Sequence, residues 1–171
     1  TMAAVLARYG VRPRVIEKAV APPEDRSRAI VIQARTLELF EDLGIVKEVL
    51  AAALVVDSAN LFSPSGHRGS LRIEPAWIDS IFGRFVTLPQ EETERILGGL
   101  AARSGVAVER GVELVGLEVE ETGAIATLRH TDGTIERIAP DWILGCDGAH
   151  SAVRDLSGVP FPGSTYPDEG L

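Results

Sequence analysis

Only one cysteine, Cys146, occurs in the chain. This excludes an internal disulfide framework and any zinc site built from several cysteines, and it fits a reducing cytoplasm, the compartment expected for this protein. Cys146 itself reads as a small buried hydrophobe. The three histidines, His67, His130 and His150, lie far apart, in a turn, at a strand end and at a helix start. Neither a metal centre nor a catalytic triad is expected from them, and Ser151 lacks the Gly-x-Ser-x-Gly setting that exposes a nucleophile. Aromatic residues make up only 5% of the chain, so Trp77 and Trp142 are assigned to the core rather than to a cofactor platform. Basic residues are outnumbered, 17 Lys plus Arg against 25 Asp plus Glu, for a net charge of −8. That balance argues against nucleic-acid or anionic-membrane partners, and no apolar run has the length of a membrane span. The opening Thr1–Arg8 has neither the charged leader nor the cleavage site of a signal peptide.

What remains is an ordinary globular composition, 171 residues with 45% hydrophobic and 25% charged, enough for one domain or two interleaved ones. Met2, Val5, Leu6 and Tyr9 recur at helical spacing with no capping residue before them, and the Pro-rich end after Pro160 leads nowhere. A portion of a larger protein is the expectation. Arg14–Glu17 reads as a short strand ending on a carboxylate, followed by a polar loop over Lys18–Arg28. A helix follows with Thr36, Leu37, Leu39, Phe40 and Leu43 on its apolar face and Gly44 as its stop; a second runs from Ile45 to Ala53. Residues 54–74 read as a hairpin turning at Ser63–Gly66, Phe85–Pro89 as an extended stretch and Gln90–Ser104 as a helix ended by Gly105. Val106–Glu109 and three strands between Glu113 and Ile138, the last two joined at Asp132–Gly133, form a meander. Asp141–Gly145, an apolar run after its first residue, carries the signature of a parallel strand buried on both faces.

That strand runs into Cys146-Asp147-Gly148-Ala149-His150-Ser151, a tight turn opening a helix with small residues. Backbone N–H groups, a positive helix end and one fixed carboxylate suit a ligand carrying phosphate and sugar hydroxyls. Helix, turn, strand and acidic end around Glu17 give the second half of a βαβ unit, whose carboxylate accepts hydrogen bonds from ribose hydroxyls.

Four ordered features carry a family resemblance. They are Val15-Ile16-Glu17-Lys18; Arg26-Ser27-Arg28-Ala29 followed by Arg35-Thr36-Leu37-Glu38-Leu39-Phe40; Leu88-Pro89-Gln90 with Thr93-Glu94; and Gly145-Cys146-Asp147-Gly148 with Ser151 and Arg154, trailed by Phe161-Pro162-Gly163. Over essentially its whole length the chain resembles the FAD-dependent aromatic hydroxylases, single-component flavoprotein monooxygenases typified by para-hydroxybenzoate hydroxylase, in particular their phenol and aromatic-polyketide branch. The resemblance implies an α/β, Rossmann-like FAD-binding fold in three layers, a mostly parallel sheet plus a β-meander. It divides the chain into an incomplete FAD-binding domain at 1–53 and 83–158, a substrate-domain hairpin at 54–82 and the start of that domain at 159–171.

It further implies that Glu17 binds the FAD ribose with Lys18 beside the adenosine. Arg28 sits over the pyrophosphate with Arg26 as partner, a charge-assisted contact that lysine reproduces poorly. Gln90 serves the ribityl or phosphate chain, and Leu114 touches the adenine through its backbone. Asp147 and Gly148 hold the FAD, in a motif also linked to nicotinamide binding, while Arg154 braces their turn. The implied reaction reduces FAD with NAD(P)H, forms a flavin C4a-hydroperoxide with dioxygen and hydroxylates a small aromatic substrate. Two family motifs are absent, the Gly-x-Gly-x-x-Gly turn and the later Gly-Asp motif, and no substrate-deprotonating base is present to name. A related epoxidase, halogenase or antibiotic-modifying monooxygenase has the same front half, and a non-catalytic nucleotide-binding remnant is the alternative from a different class.

Overall fold

The computed structural model describes residues 1–21, 30–121 and 123–163. In chain order the elements are α1 (Met2–Arg8), β1 (Val15–Glu17), β2 (Val31–Ile32), α2 (Ala34–Asp42), α3 (Val46–Ala52), β3 (Leu54–Val56), β4 (Ser58–Ser63) and β5 (Gly66–Arg72). After a single 3-10 turn at Pro75–Trp77 come β6 (Phe85–Thr87), α4 (Gln90–Arg103), β7 (Val108–Arg110), β8 (Val112–Glu120), β9 (Gly123–His130) and β10 (Ile135–Ile138). A second 3-10 turn, Gly148–His150, leads into α5 (Ala152–Leu156). The α/β class read from the sequence is the class that folds. Two compact units share these elements, one built from residues 1–15 and 23–107, the other from 16–22 and 108–171.

The first unit is organised by β6. It lies between β2 and β3, antiparallel to both, with Val86 opposite Ile32 on one side and Val55 on the other. Val86 is fully buried, and around it pack Leu37 and Phe40 of α2, Val46 and Val49 of α3 and Ile96 of α4. Ala34, Leu37 and Phe40 recur every third residue and so fall on one face of α2, which is why that face turns inward. Leu39, assigned to the same face from the sequence, is instead 46% exposed. Gly44 stops α2 with φ +77, where its N–H reaches Glu41 O and the Ile45 N–H reaches Phe40 O. Such a left-handed closure costs glycine nothing and a β-carbon about 1 kcal/mol or more. The β4–β5 hairpin turns at Ser63–Gly66 as expected, with its register shifting between Leu61 and Phe62.

The second unit is the meander, ordered β10-β9-β8, with β1 paired to β7. Val112, Ala126 and Leu128 form its core, against which Ile16, Leu114, Ile138 and Ile143 pack. The Asp132–Gly133 turn closes with Gly133 at φ +84 and with Asp132 Oδ1 accepting from the Thr134 N–H at 2.9 Å. Here one expectation fails. Asp141–Gly145 forms no strand; Ile143 reaches the core, but Trp142 is 87% and Leu144 55% exposed. A strand buried on both faces needs a ladder neighbour and a covering layer on each side. This segment has no ladder partner among the described residues, so its alternate side chains point outward. Trp77 and Cys146, also assigned to the core, are likewise exposed.

Truncating Leu37 to Ala, in the sealed face of α2, is expected to cost about 2–5 kcal/mol of unfolding free energy. Leu39→Ala, on the opposite side, should stay within about 0.5 kcal/mol. Denaturant midpoints of the two variants check the assignment of faces.

Candidate functional site

The turn at Asp147 is held by its own carboxylate. One oxygen, Oδ1, accepts from Ser151 Oγ at 2.5 Å; the other, Oδ2, accepts from the Val153 N–H at 3.1 Å, at the first turn of α5. Ser151, only 8% exposed, then caps α5 by accepting the Arg154 N–H at 3.1 Å. Gly148 follows Asp147 at φ +76 with nothing within 4 Å of where a β-carbon would stand, so its requirement is conformational. Gly145 is different. A β-carbon there would come within 2.9 Å of Val153 Cβ and 3.3 Å of Asp147 Oδ1, so the extended segment closes onto α5 only because Gly145 has no side chain.

Burial pushes the Asp147 carboxyl upward, but hydrogen bonds from Ser151 and from the Val153 and Ala152 backbone outweigh it and hold the group below its ordinary value of 3.8. The ionised carboxylate therefore stabilises the turn at neutral pH. Arg154 closes the assembly as the family pattern implied: its Nη2 donates to Ala149 O at 2.9 Å and to Asp155 Oδ1 at 3.2 Å. Its buried Nε has no partner among the described residues.

Glu17, Lys18, Leu114, Asp147 and Gly148 all belong to the second unit. Glu17 is half-buried at the end of β1, and its Oε1 accepts from the Ala19 N–H at 2.8 Å, folding the carboxylate over the start of the following loop. Ala19 O in turn accepts from the Gly111 N–H, and Gly111 is obligatory, since a β-carbon there would lie 2.6 Å from Thr131 Cγ2. Exposed Lys18 borders a recess of about 270 Å³ with Arg129, His130 and Thr131; Arg129 and His130 are already engaged by Glu113 and Glu136. At Leu114 the β8–β9 register shifts, Leu114 facing Leu128 while Gly116 faces Thr127. Such a bulge takes a backbone unit out of the ladder and re-aims it, which suits a backbone contact at this point. α5 packs on β8, the strand that carries Leu114.

Gln90 belongs to the first unit, where it opens α4 and donates from Nε2 to Glu94 Oε1 at 2.8 Å. Arg26 and Arg28 lie outside the described residues. One place was missed from the sequence. A recess of about 220 Å³ in the first unit is lined by Gln33, Arg35 and Glu38 at the start of α2 and by Ile78, Ser80 and Phe85. The helix begins there without a side-chain cap. Hydrogen bonds from Ser80 and from Arg35, the latter at 2.5 Å, hold the Glu38 carboxyl below its ordinary range. Arg35 and Glu38 are legible as an i,i+3 pair, but nothing in the sequence places Ser80 beside them. No group of metal-binding side chains occurs among the described residues, and no helix there is long and apolar enough to cross a membrane.

A family described as FAD binding domain matches residues 1–169. The chain belongs to this family. It is 33% identical over 162 residues to the rifampicin monooxygenase of Streptomyces venezuelae, covering 95% of this chain and 32% of that protein. Among solved structures it is similar to the flavin-dependent monooxygenase PieE in complex with FAD and substrate, with TM-score 0.83 and 25% identity over 95% of this chain and 30% of that one. It is also similar to the OxyS anhydrotetracycline hydroxylase from Streptomyces rimosus, with TM-score 0.82 and 29% identity over 96% and 32%. The chain thus spans about a third of the length of the curated relatives it matches.

Replacing Asp147 by Asn removes the charge that two donors share. Because the carboxyl is depressed in the folded state, its stabilisation is complete above its ordinary value of 3.8 and is lost as the pH falls through the lowered folded value. Wild type should therefore exceed Asp147→Asn in thermal midpoint at pH 7, and the gap should close towards pH 3. A gap that stays constant with pH removes the ionised carboxylate from the account.

Proposed function

We propose that this chain is the FAD-binding portion of a monooxygenase that uses NAD(P)H and dioxygen to hydroxylate an aromatic substrate, phenolic or polyketide. The Asp147–Gly148 turn carries the reading: a pinned carboxylate, a glycine in the left-handed region and a braced helix start, in a chain whose family is named for FAD binding. The residues present fit that cofactor. Gly148 leaves open space beside the turn, the Leu114 bulge frees backbone groups on the neighbouring strand, and the Arg154 Nε–H is a buried donor with no acceptor among the described residues.

When bound, FAD supplies the redox chemistry, taking electrons from NAD(P)H and passing them to dioxygen so that one oxygen atom reaches the ring. This chain's residues do the holding. Glu17 takes the ribose hydroxyls with Lys18 beside the adenosine, and Leu114 offers backbone to the adenine. Gln90 serves the ribityl or phosphate chain, Arg28 and Arg26 neutralise the pyrophosphate, and Asp147 with Gly148 fixes the turn. Asp147 acts at least through the turn, which it pins with both of its oxygens. Its contribution is to keep the Gly148 and Ala149 backbone in one conformation, which removes an ordering cost from cofactor binding. The hairpin within 54–82 belongs in this reading to the substrate side. Likeness to a rifampicin monooxygenase favours an antibiotic-modifying monooxygenase as the second reading, with the same use of FAD.

The full reading frame that encodes this chain should purify as a yellow protein, and a phenolic or aromatic-polyketide substrate should accelerate its NAD(P)H oxidation several-fold. A colourless protein that takes up no added FAD sinks the proposal. Stimulation by a complex antibiotic and by no simple phenol selects the second reading. The 171-residue chain alone, identified by intact mass, should show little flavin absorbance, because no glycine-rich turn is present to approach the pyrophosphate.

A further inference from the structure

The Arg154 guanidinium lies over the ring of Phe161, 4.5 Å from its centroid, outside the Asp-Gly motif and seven positions along the chain. We propose that Phe161 is a positioning residue for the Asp147–Gly148 turn and acts through Arg154; its bearing on the cofactor rests on the FAD reading above.

The chain reaches this contact by a reversal at the end of α5. Gly158 adopts φ +71, its N–H bonds to Asp155 O, and the Val159 N–H bonds to Arg154 O at 3.2 Å. The next residues then run back beside the helix and bring Phe161 against the guanidinium. Phe161 is 70% exposed, with the Arg154 guanidinium over its ring. Arg154 is the opposite, a cation whose side chain is only 19% exposed. A cation over an aromatic face is held by the ring quadrupole, and more strongly when partly desolvated.

Arg154 has two competing acceptors. Ala149 O lies inside the turn; Asp155 is largely exposed and draws the same Nη2 outward. A long arginine side chain released from the ring has many rotamers, most of which lose the Ala149 contact. The ring removes that freedom and keeps Nη2 on Ala149 O, next to the glycine whose conformation the cofactor site requires. The segment leaving α5 is thereby tied to the geometry of the turn.

Amide and arginine side-chain resonances of the 171-residue protein test this directly. In Phe161→Leu, which keeps an apolar contact but no ring, the ring-current displacement of the Arg154 Hε should vanish and the Gly148 and Ala149 amides should shift. Phe161→Trp and Phe161→Tyr should preserve both, while amides around Ala126 and Leu128, in the core of the same unit, report an intact fold in every variant. In the full reading frame, FAD affinity should fall roughly three- to tenfold for Phe161→Leu and stay within about twofold for Phe161→Trp. Unmoved Gly148 and Ala149 amides in Phe161→Leu would overturn the proposal. So would a Trp variant as perturbed as the Leu one, and unchanged FAD affinity would cut the link to the cofactor. A full-length wild type that takes up no FAD defeats the functional reading instead, and the resonance measurement still decides the role of Phe161.

Discussion

Two hydrogen bonds to one carboxylate, from the Ser151 hydroxyl and the Val153 N–H to Asp147, set the geometry of the second unit's functional end. They join the end of an extended segment to the start of a helix of only five residues, too short to be stable by itself. Around that join every neighbour is committed. Ser151 caps the helix it helps attach, Gly145 gives up its side chain so that Val153 can approach, and Arg154 reaches back to Ala149. Remove the carboxylate and the turn keeps its sequence but loses the reason for its shape.

The rest of the molecule supplies the platform by apolar packing. The first unit closes three helices over β6, and the second packs Ile16 and Ile143 against the meander core while α5 contacts β8. The charged residues contribute little to this. Exposed pairs such as Arg129–Glu113, between the adjacent β9 and β8, and Arg137–Glu118, which reaches across β9 from β10 to β8, are each worth about 0–1 kcal/mol. An excess of acidic side chains over basic ones is therefore compatible with the fold, since neither hydrophobic cluster depends on charge.

Legibility differed between local and non-local features. The helices α2, α3 and α4, the Gly44 and Gly105 stops, the Ser63–Gly66 turn and the meander were all readable, because each is specified by residues within one or two turns of one another. Of the site, Asp147 with Gly148 was readable as a turn and Arg154 as its brace. Unread were the obligatory Gly145 and Gly111, whose need comes from Val153 and Thr131 in space, and the recess joining Arg35 and Glu38 to Ser80. The apolar run at 141–145 misled for the same reason: composition reports what a segment could bury, and neighbours decide whether it does.

The sequence by itself determined the α/β class and the family, because hydrophobic periodicity, glycine placement and short ordered motifs are written along the chain. Tertiary structure alone decided that the β8 ladder breaks at Leu114 and that Phe161 rests against Arg154. These depend on distances between residues on different elements, which only packing brings within the few ångströms over which hydrogen bonds and ring contacts act.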